Sequence, residues 1–255
     1  MKFSHIADCH IGGWREEKLN LLTIQAFEEA INTSINKQVD FILLCGDLFN
    51  TALPSIDFLK RTVQALKKAK DNLIPIYFIA GSHDFSASKK TMLEIIEHAG
   101  LAINVNKQET TDQIHLKFTT DLKTGAKLTG LIGKKGQLEK TDYEMLDKAS
   151  LEQEPGFKIF LFHTSITELK PKELEMMESY SANLLPKGFD YYAGGHIHIV
   201  NKINLDNHKN VVYPGPTFPN SFSELEKLNQ GGFYIYNDGN LEYQELKLKE
   251  HKNIN

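Results

Sequence analysis

The sequence predicts an α/β fold in which two packed sheets are flanked by helices. Three observations predict it. The first half alternates apolar, strand-like runs with amphipathic helical stretches. The second half is a succession of strand-like segments. The residues able to bind a metal fall at the ends of the strand-like runs. Alternating βα units followed by antiparallel strands pack as layers around a core. Ligands in such folds collect at the carboxyl ends of the strands.

Residues 2–7 read as the first strand and end at Asp8. Residues 17–37 read as a helix, because Leu19, Leu22, Ala26, Phe27, Ala30, Ile31 and Ile35 fall on one face. Phe41 to Cys45 is an unbroken apolar run closed by Gly46-Asp47, as a buried parallel strand requires. Pro54-Ser55 opens a second helix, with Ile56, Leu59, Val63 and Leu66 on one stripe. Pro75 to Ala80 is a third strand. A third helix is expected from about Ser88 to His98, stopped by Gly100. Strands are then expected over 114–118, 127–132, 158–162, 191–193, 197–203, 211–213, 233–236 and 241–248, with helical pieces near 141–149 and 172–180. Asn237-Asp238-Gly239-Asn240 marks a hairpin between the last two strands. With no repeat or linker composition, one domain over 1–255 is the simplest organisation.

Composition narrows the class. Hydrophobic residues make up 41% and charged residues 24%, the balance of a globular chain with a sizeable core. No apolar run reaches membrane-span length, so a cytoplasmic protein is expected. Two cysteines, Cys9 and Cys45, are too few for a disulfide framework and read as small buried thiols. The net charge of −4 argues mildly against tight, non-specific duplex binding, although bound divalent ions would add positive charge where a phosphate sits.

Five clusters carry the chemistry: Asp8-Cys9-His10, Gly46-Asp47, Gly81-Ser82-His83-Asp84, Phe162-His163 and Gly194-Gly195-His196-Ile197-His198. On extended chain, side chains two apart share a face, so Asp8 with His10, and His196 with His198, are expected to point to one place. Carboxylate and imidazole donors without thiolate suit Mn, Fe, Zn or Mg. Any one of these residues alone reads as a turn residue, a cap or a satisfied core histidine. Five clusters in this order read as a two-metal hydrolytic site. Asp47 is the candidate bridging ligand. Asp8, His10 and His198 complete one ion, and Ser82, His163 and His196 the other. A water activated between two ions attacks phosphorus in line. His83, left without a metal role, is the candidate acid for the leaving oxygen, with Asp84 to orient its ring.

These motifs resemble the calcineurin-like metallophosphoesterase superfamily, and within it the SbcD-type DNA double-strand-break-repair nucleases, also called the meiotic-recombination-eleven family. The stretches Met1–Gly12, Asp40–Phe49, Val211–Gly215 and Gly231–Ile235 carry the resemblance. It implies a four-layered α/β-β/α sandwich with a di-metal centre, usually of manganese, that cleaves DNA as an exonuclease and endonuclease. By that match His83 is the catalytic histidine. The chain departs from the family at Ser82, where Asn is usual, and at Asn50, where the nucleases often have a His that places the DNA phosphate. A DNA-capping domain and a docking segment for the SbcC-type ATPase are expected to be absent. The family also pairs the helices after the second and third strands about a two-fold axis, which implies a homodimer through about 55–70 and 88–99. The alternatives are a small-molecule or nucleotide phosphodiesterase or phosphatase, favoured by the acidic charge, and a non-catalytic scaffold of the same fold.

Overall fold

A computed structural model of the chain describes residues 1–86, 90–171 and 176–248. The order of elements is β1 (Lys2–Ile6), α1 (Glu17–Asn36), β2 (Phe41–Cys45), α2 (Ile56–Asp71), β3 (Ile76–Ile79), α3 (Met92–His98) and β4 (Ile103–Asn104). There follow β5 (Lys107–Thr110), β6 (Ile114–Lys117), β7 (Thr119–Thr120), β8 (Lys127–Gly130), α4 (Lys140–Glu144), α5 (Lys148–Gln153) and β9 (Lys158–His163). The chain continues through β10 (Tyr191–Gly195), β11 (Val200–Leu205), β12 (His208–Pro214), α6 (Phe222–Leu228), β13 (Gly232–Asn237) and β14 (Asn240–Glu245).

Two mixed sheets form, as the sequence predicts. The first runs β14-β13-β1-β2-β3-β4 and the second β11-β12-β10-β9-β8-β7. In each, the central strands are parallel, so their carboxyl ends lie along one edge. The period-two alternation of a strand sorts side chains between faces. Phe3, Phe41, Leu43 and Tyr77 of the first sheet pack on Ile159, Leu161, Tyr191 and Val212 of the second. The outer face of the first sheet is covered by α1, α2 and α3 through residues such as Phe27, Ile31, Leu66 and Ile96. Tyr143, Leu146 and Leu151 of the α4–α5 region cover the outer face of the second. The layers are therefore helix, sheet, sheet, helix.

Several local expectations change. The third helix starts at Met92 behind the Thr91 cap; Ser88 and Lys89 lie outside the described residues. The helix expected near 141–149 is two short ones split at Met145–Asp147. Of the one expected near 172–180, residues 172–175 lie outside the described residues, and 176–180 form turns ending in a bridge between Tyr180 and Ile166. The strand expected from Ile197 starts at Val200, because the backbone bends at His196. No helix among the described residues is long and apolar enough to cross a membrane.

One buried polar bridge joins the sheets beside the site. The Gly194 carbonyl only accepts, so His5 Nε2 donates to it at 3.0 Å, and His5 Nδ1 accepts from the Tyr191 hydroxyl at 3.0 Å. Burial lowers the His5 pKa from 6.5 to about 3, against the pull of the Gly194 carbonyl. The unfolded chain therefore binds a proton here that the folded chain refuses. The His5 contribution to stability is full above 6.5 and declines as the pH falls from 6.5 toward about 3. Denaturant midpoints measured from pH 7 to pH 4 should fall less steeply for His5→Gln than for the parent. Parallel curves would remove His5 from the acid response.

Candidate metal centre

The strand ends deliver the predicted residues to one place, but not by extended backbone. Asp8, His10, Asp47 and His196 have φ of 51°, 41°, 51° and 96°. Each non-glycine residue in such a conformation costs about 1–3 kcal/mol and persists where surroundings fix it. Here the loops after β1 and β2 are laced together. Asp8 N–H donates to the Gly46 carbonyl (3.1 Å), His10 N–H to the Asp47 carbonyl (3.0 Å), and Asn50 N–H to the Ile11 carbonyl (3.1 Å). The expectation that Asp8/His10 and His196/His198 converge by strand alternation is thus corrected. The strands have ended, and left-handed turns re-aim the side chains.

Asp47 Oδ2 is the hub. It lies 3.1 Å from His163 Nε2, 3.7 Å from His10 Nε2 and 3.4 Å from Ser82 Oγ, while Asp47 Oδ1 accepts from the His83 backbone N–H at 2.8 Å. Three groups have ligand atoms within 4.8 Å of one another: Asp8, His10 and His198; Asp8, Asp47 and His163; and His10, Asp47 and His83. Ser82 is buried at the hub. His196 is less central: its ring centroid is 5.2 Å from that of His163, and its backbone N–H donates to both oxygens of Asp8, at 2.9 and 3.1 Å.

Hydrogen bonds at the far nitrogens turn the histidines inward. His163 Nδ1 donates to the Cys45 carbonyl at 2.9 Å, His10 Nδ1 faces Asn50 Oδ1 at 3.3 Å, and His198 Nδ1 faces Glu224 Oε1 at 3.0 Å. With Nδ1 donating in each case, Nε2 keeps its lone pair for a ligand. His10 Nε2 and His198 Nε2 oppose each other at 3.0 Å, where they can share a proton or, with both lone pairs free, hold one cation. His163 Nε2 is buried and faces Asp47 Oδ2 at 3.1 Å. Space around His163 is closed by glycines. A Cβ on Gly195 would meet the Cys45 carbonyl at 2.1 Å, and one on Gly46, which is also at φ 86°, would meet His163 Nδ1 at 2.2 Å.

The electrostatics call for positive charge. Burial raises the Asp8 pKa, partly countered by His163 and His198. Burial also resists a charged Asp47, but His163, His10 and the His83 N–H outweigh it and hold that carboxyl well below its usual range. Burial resists a charged His163 as well, yet Asp47 and Asp8 raise its pKa to about 10. His10 and His196 are driven by burial to about 3 and about 4. Buried carboxylates faced by imidazoles that converge on them through Nε2 fit divalent cations, so the donor set passes as a metal site.

One expectation is revised. Asp84 does not orient His83. Its carboxylate accepts the N–H groups of Gly81 (2.8 Å) and Phe49 (3.2 Å), clamping the loops after β2 and β3, while His83 Nδ1 bonds to the Asn50 carbonyl at 2.9 Å. Asn50, expected at the substrate, holds His10 through its side chain and His83 through its backbone. Cys9 and Cys45 are buried and lie in apolar clusters, and burial pushes both thiols up, so neither competes as a ligand.

The calcineurin-like phosphoesterase model matches residues 1–200. The chain belongs to that family. Among curated proteins it is similar to the DNA double-strand break repair protein Mre11 of Methanococcus maripaludis, 31% identical over 92% of this chain and 62% of the relative. The same-named protein of Archaeoglobus fulgidus is 26% identical over 98% of this chain and 60% of the relative. The chain thus spans about 60% of the length of these relatives. A dimetal phosphatase from Danio rerio shares the fold, with TM-score 0.56 and 10% identity over 96% of this chain and 95% of that one. The family is one of metal-dependent phosphoesterases, in keeping with the clustered donors.

Sequence reading missed Glu224. Its Oε2 accepts from the Asn220 N–H at 2.8 Å and its backbone N–H donates to the Ser221 hydroxyl at 3.2 Å, so α6 begins with a carboxylate fixed against His198. Ser221-x-x-Glu224 is a capping-box pattern and signals the helix start, but not the histidine 26 residues earlier. Glu224→Ala should weaken Mn²⁺ binding by about 10–100-fold in isothermal titration, with a smaller loss in Glu224→Gln. Unchanged affinity in both would show that His198 needs no partner.

Proposed function

We propose that this chain is a two-metal phosphodiesterase that cleaves DNA, as exonuclease and endonuclease in double-strand-break repair, with manganese as the working ion. The observation that carries the reading is Asp47 Oδ2, placed between His163 on one side and His10 on the other, in a chain alike along most of its length to archaeal repair proteins. Divalent ions bound there supply Lewis acidity that activates water and neutralises phosphate charge. The chain's own groups do the rest. Asp8, His10, His198, Asp47, Ser82, His163 and His196 are the candidate ligands. Asn50, Glu224 and the Cys45 carbonyl fix the rings. His83 is exposed, with Nδ1 committed to the Asn50 carbonyl, which leaves Nε2 to give a proton to the leaving oxygen.

A second reading, a nucleotide or small-molecule phosphodiesterase, is favoured by the net charge of −4. Hydrolysis with Mn²⁺ of linear duplex DNA, single-stranded DNA and a small chromogenic phosphodiester separates the two. The nuclease reading expects DNA cleavage that falls by about 10²–10⁴-fold in His83→Ala. Cleavage of the small ester alone would favour the second reading, and no hydrolysis with any divalent ion would leave a scaffold.

The same reading takes in an SbcC-type ATPase partner, a cytoplasmic place of work and a homodimer. For the dimer, Leu66 and Ile96 are spent on the core, whereas Ile56 on α2 and Ile95 on α3 are 84% and 61% exposed. Light scattering at micromolar concentration should give a dimer mass for the parent and a monomer mass for Ile56→Glu/Ile95→Glu. A monomeric parent would end the dimer proposal.

A further inference from the structure

We propose that Phe222 is a stacking platform for an unpaired base of the nucleic-acid strand whose phosphodiester lies at the metal ligands. The proposal deepens the nuclease reading and rests on it. Single exposed apolar residues are common and need no explanation. Phe222 differs in where it is carried and what it rests on. It is 68% exposed, at the first position of α6, two residues before the Glu224 that bonds to His198. Beneath it lies Trp14, four residues after His10, with ring centroids 5.0 Å apart and planes at 81°. Trp14 is itself fixed. It is 9% exposed, its indole N–H donates to the Pro219 carbonyl at 2.8 Å, and Phe218 meets it edge-on at 6.5 Å.

The Phe222 ring is therefore braced from below and open to solvent above. Both of its supports, the 10–14 loop and the 218–224 segment, also carry or orient the metal ligands His10 and His198. A base on this ring would be continuous with a phosphate at those ligands. Arg15, the neighbour of Trp14, is exposed and makes no ion pair among the described residues, so a guanidinium is free for the strand's phosphates. Aromatic faces beside a cationic track are how proteins hold single strands without reading sequence. A paired base has both faces covered by its neighbours, so the ring favours unpaired ends and single strands.

Trp14 is the only tryptophan of the chain, which gives the platform its own optical signal. In a His83→Ala background with Mn²⁺, oligothymidylate should change Trp14 emission. Its binding should weaken about tenfold in Phe222→Ala and recover in Phe222→Tyr but not in Phe222→Leu. In the chain with His83 intact, Phe222→Ala should lower kcat/KM for single-stranded DNA about tenfold relative to that for a small chromogenic phosphodiester. An unchanged ratio in a chain that does cleave DNA would overturn the platform alone, as would Phe222→Leu acting like the parent. A parent that cleaves only the small ester would overturn the nuclease reading and the platform with it.

Discussion

A buried carboxylate that has to be kept charged is the constraint on which the rest of the structure depends. Asp47 is almost fully enclosed, with Asp8 and Asp84 close enough to repel it. Leaving such a group uncompensated costs several kcal/mol. The chain answers with imidazoles at 3.1 and 3.7 Å whose other nitrogens are tied to acceptors, so that each presents a lone pair to the same small volume. A divalent ion is what those lone pairs and the carboxylate can share. The two packed sheets bring five parallel strand ends, those of β1, β2, β3, β9 and β10, to that volume from both sides.

The backbone bears the cost of the convergence. Four candidate ligands sit in left-handed conformations that side chains rarely adopt. Hydrogen bonds between the β1 and β2 loops, each of about 1 kcal/mol net, and the Asp84 clamp on Gly81 and Phe49 offset that strain. Asp84 illustrates the difference between adjacency and pairing. It neighbours His83 in sequence, but buried N–H groups of two loops claim its oxygens. Burial also raises its pKa to about 7, with Asp47 adding to the effect.

Much of this was legible in the sequence because it is local. The apolar run Phe41–Cys45 and the one-sided periodicity of α1 name their elements without tertiary help, and the five clusters name the candidate ligands. What stayed hidden is long-range or off-pattern. The two-residue strands β4 and β7 have no periodicity to read. The strand expected from Ile197 starts only at Val200, after a turn at His196 whose N–H Asp8 claims. Asp8/His10 convergence was expected on the wrong backbone, since φ cannot be read from residues that tolerate left-handed turns only under compulsion. Glu224 was invisible as a ring-orienting group because its cap pattern is local and its partner is not.

The central claim is that Asp47 is shared between two ions. Crystals grown with Mn²⁺ and measured for anomalous scattering test it directly. The account predicts two peaks, one among Asp8, His10 and His198 and one beside His163, both within bonding distance of Asp47. A single peak, or two peaks of which one has no contact with Asp47, would contradict it.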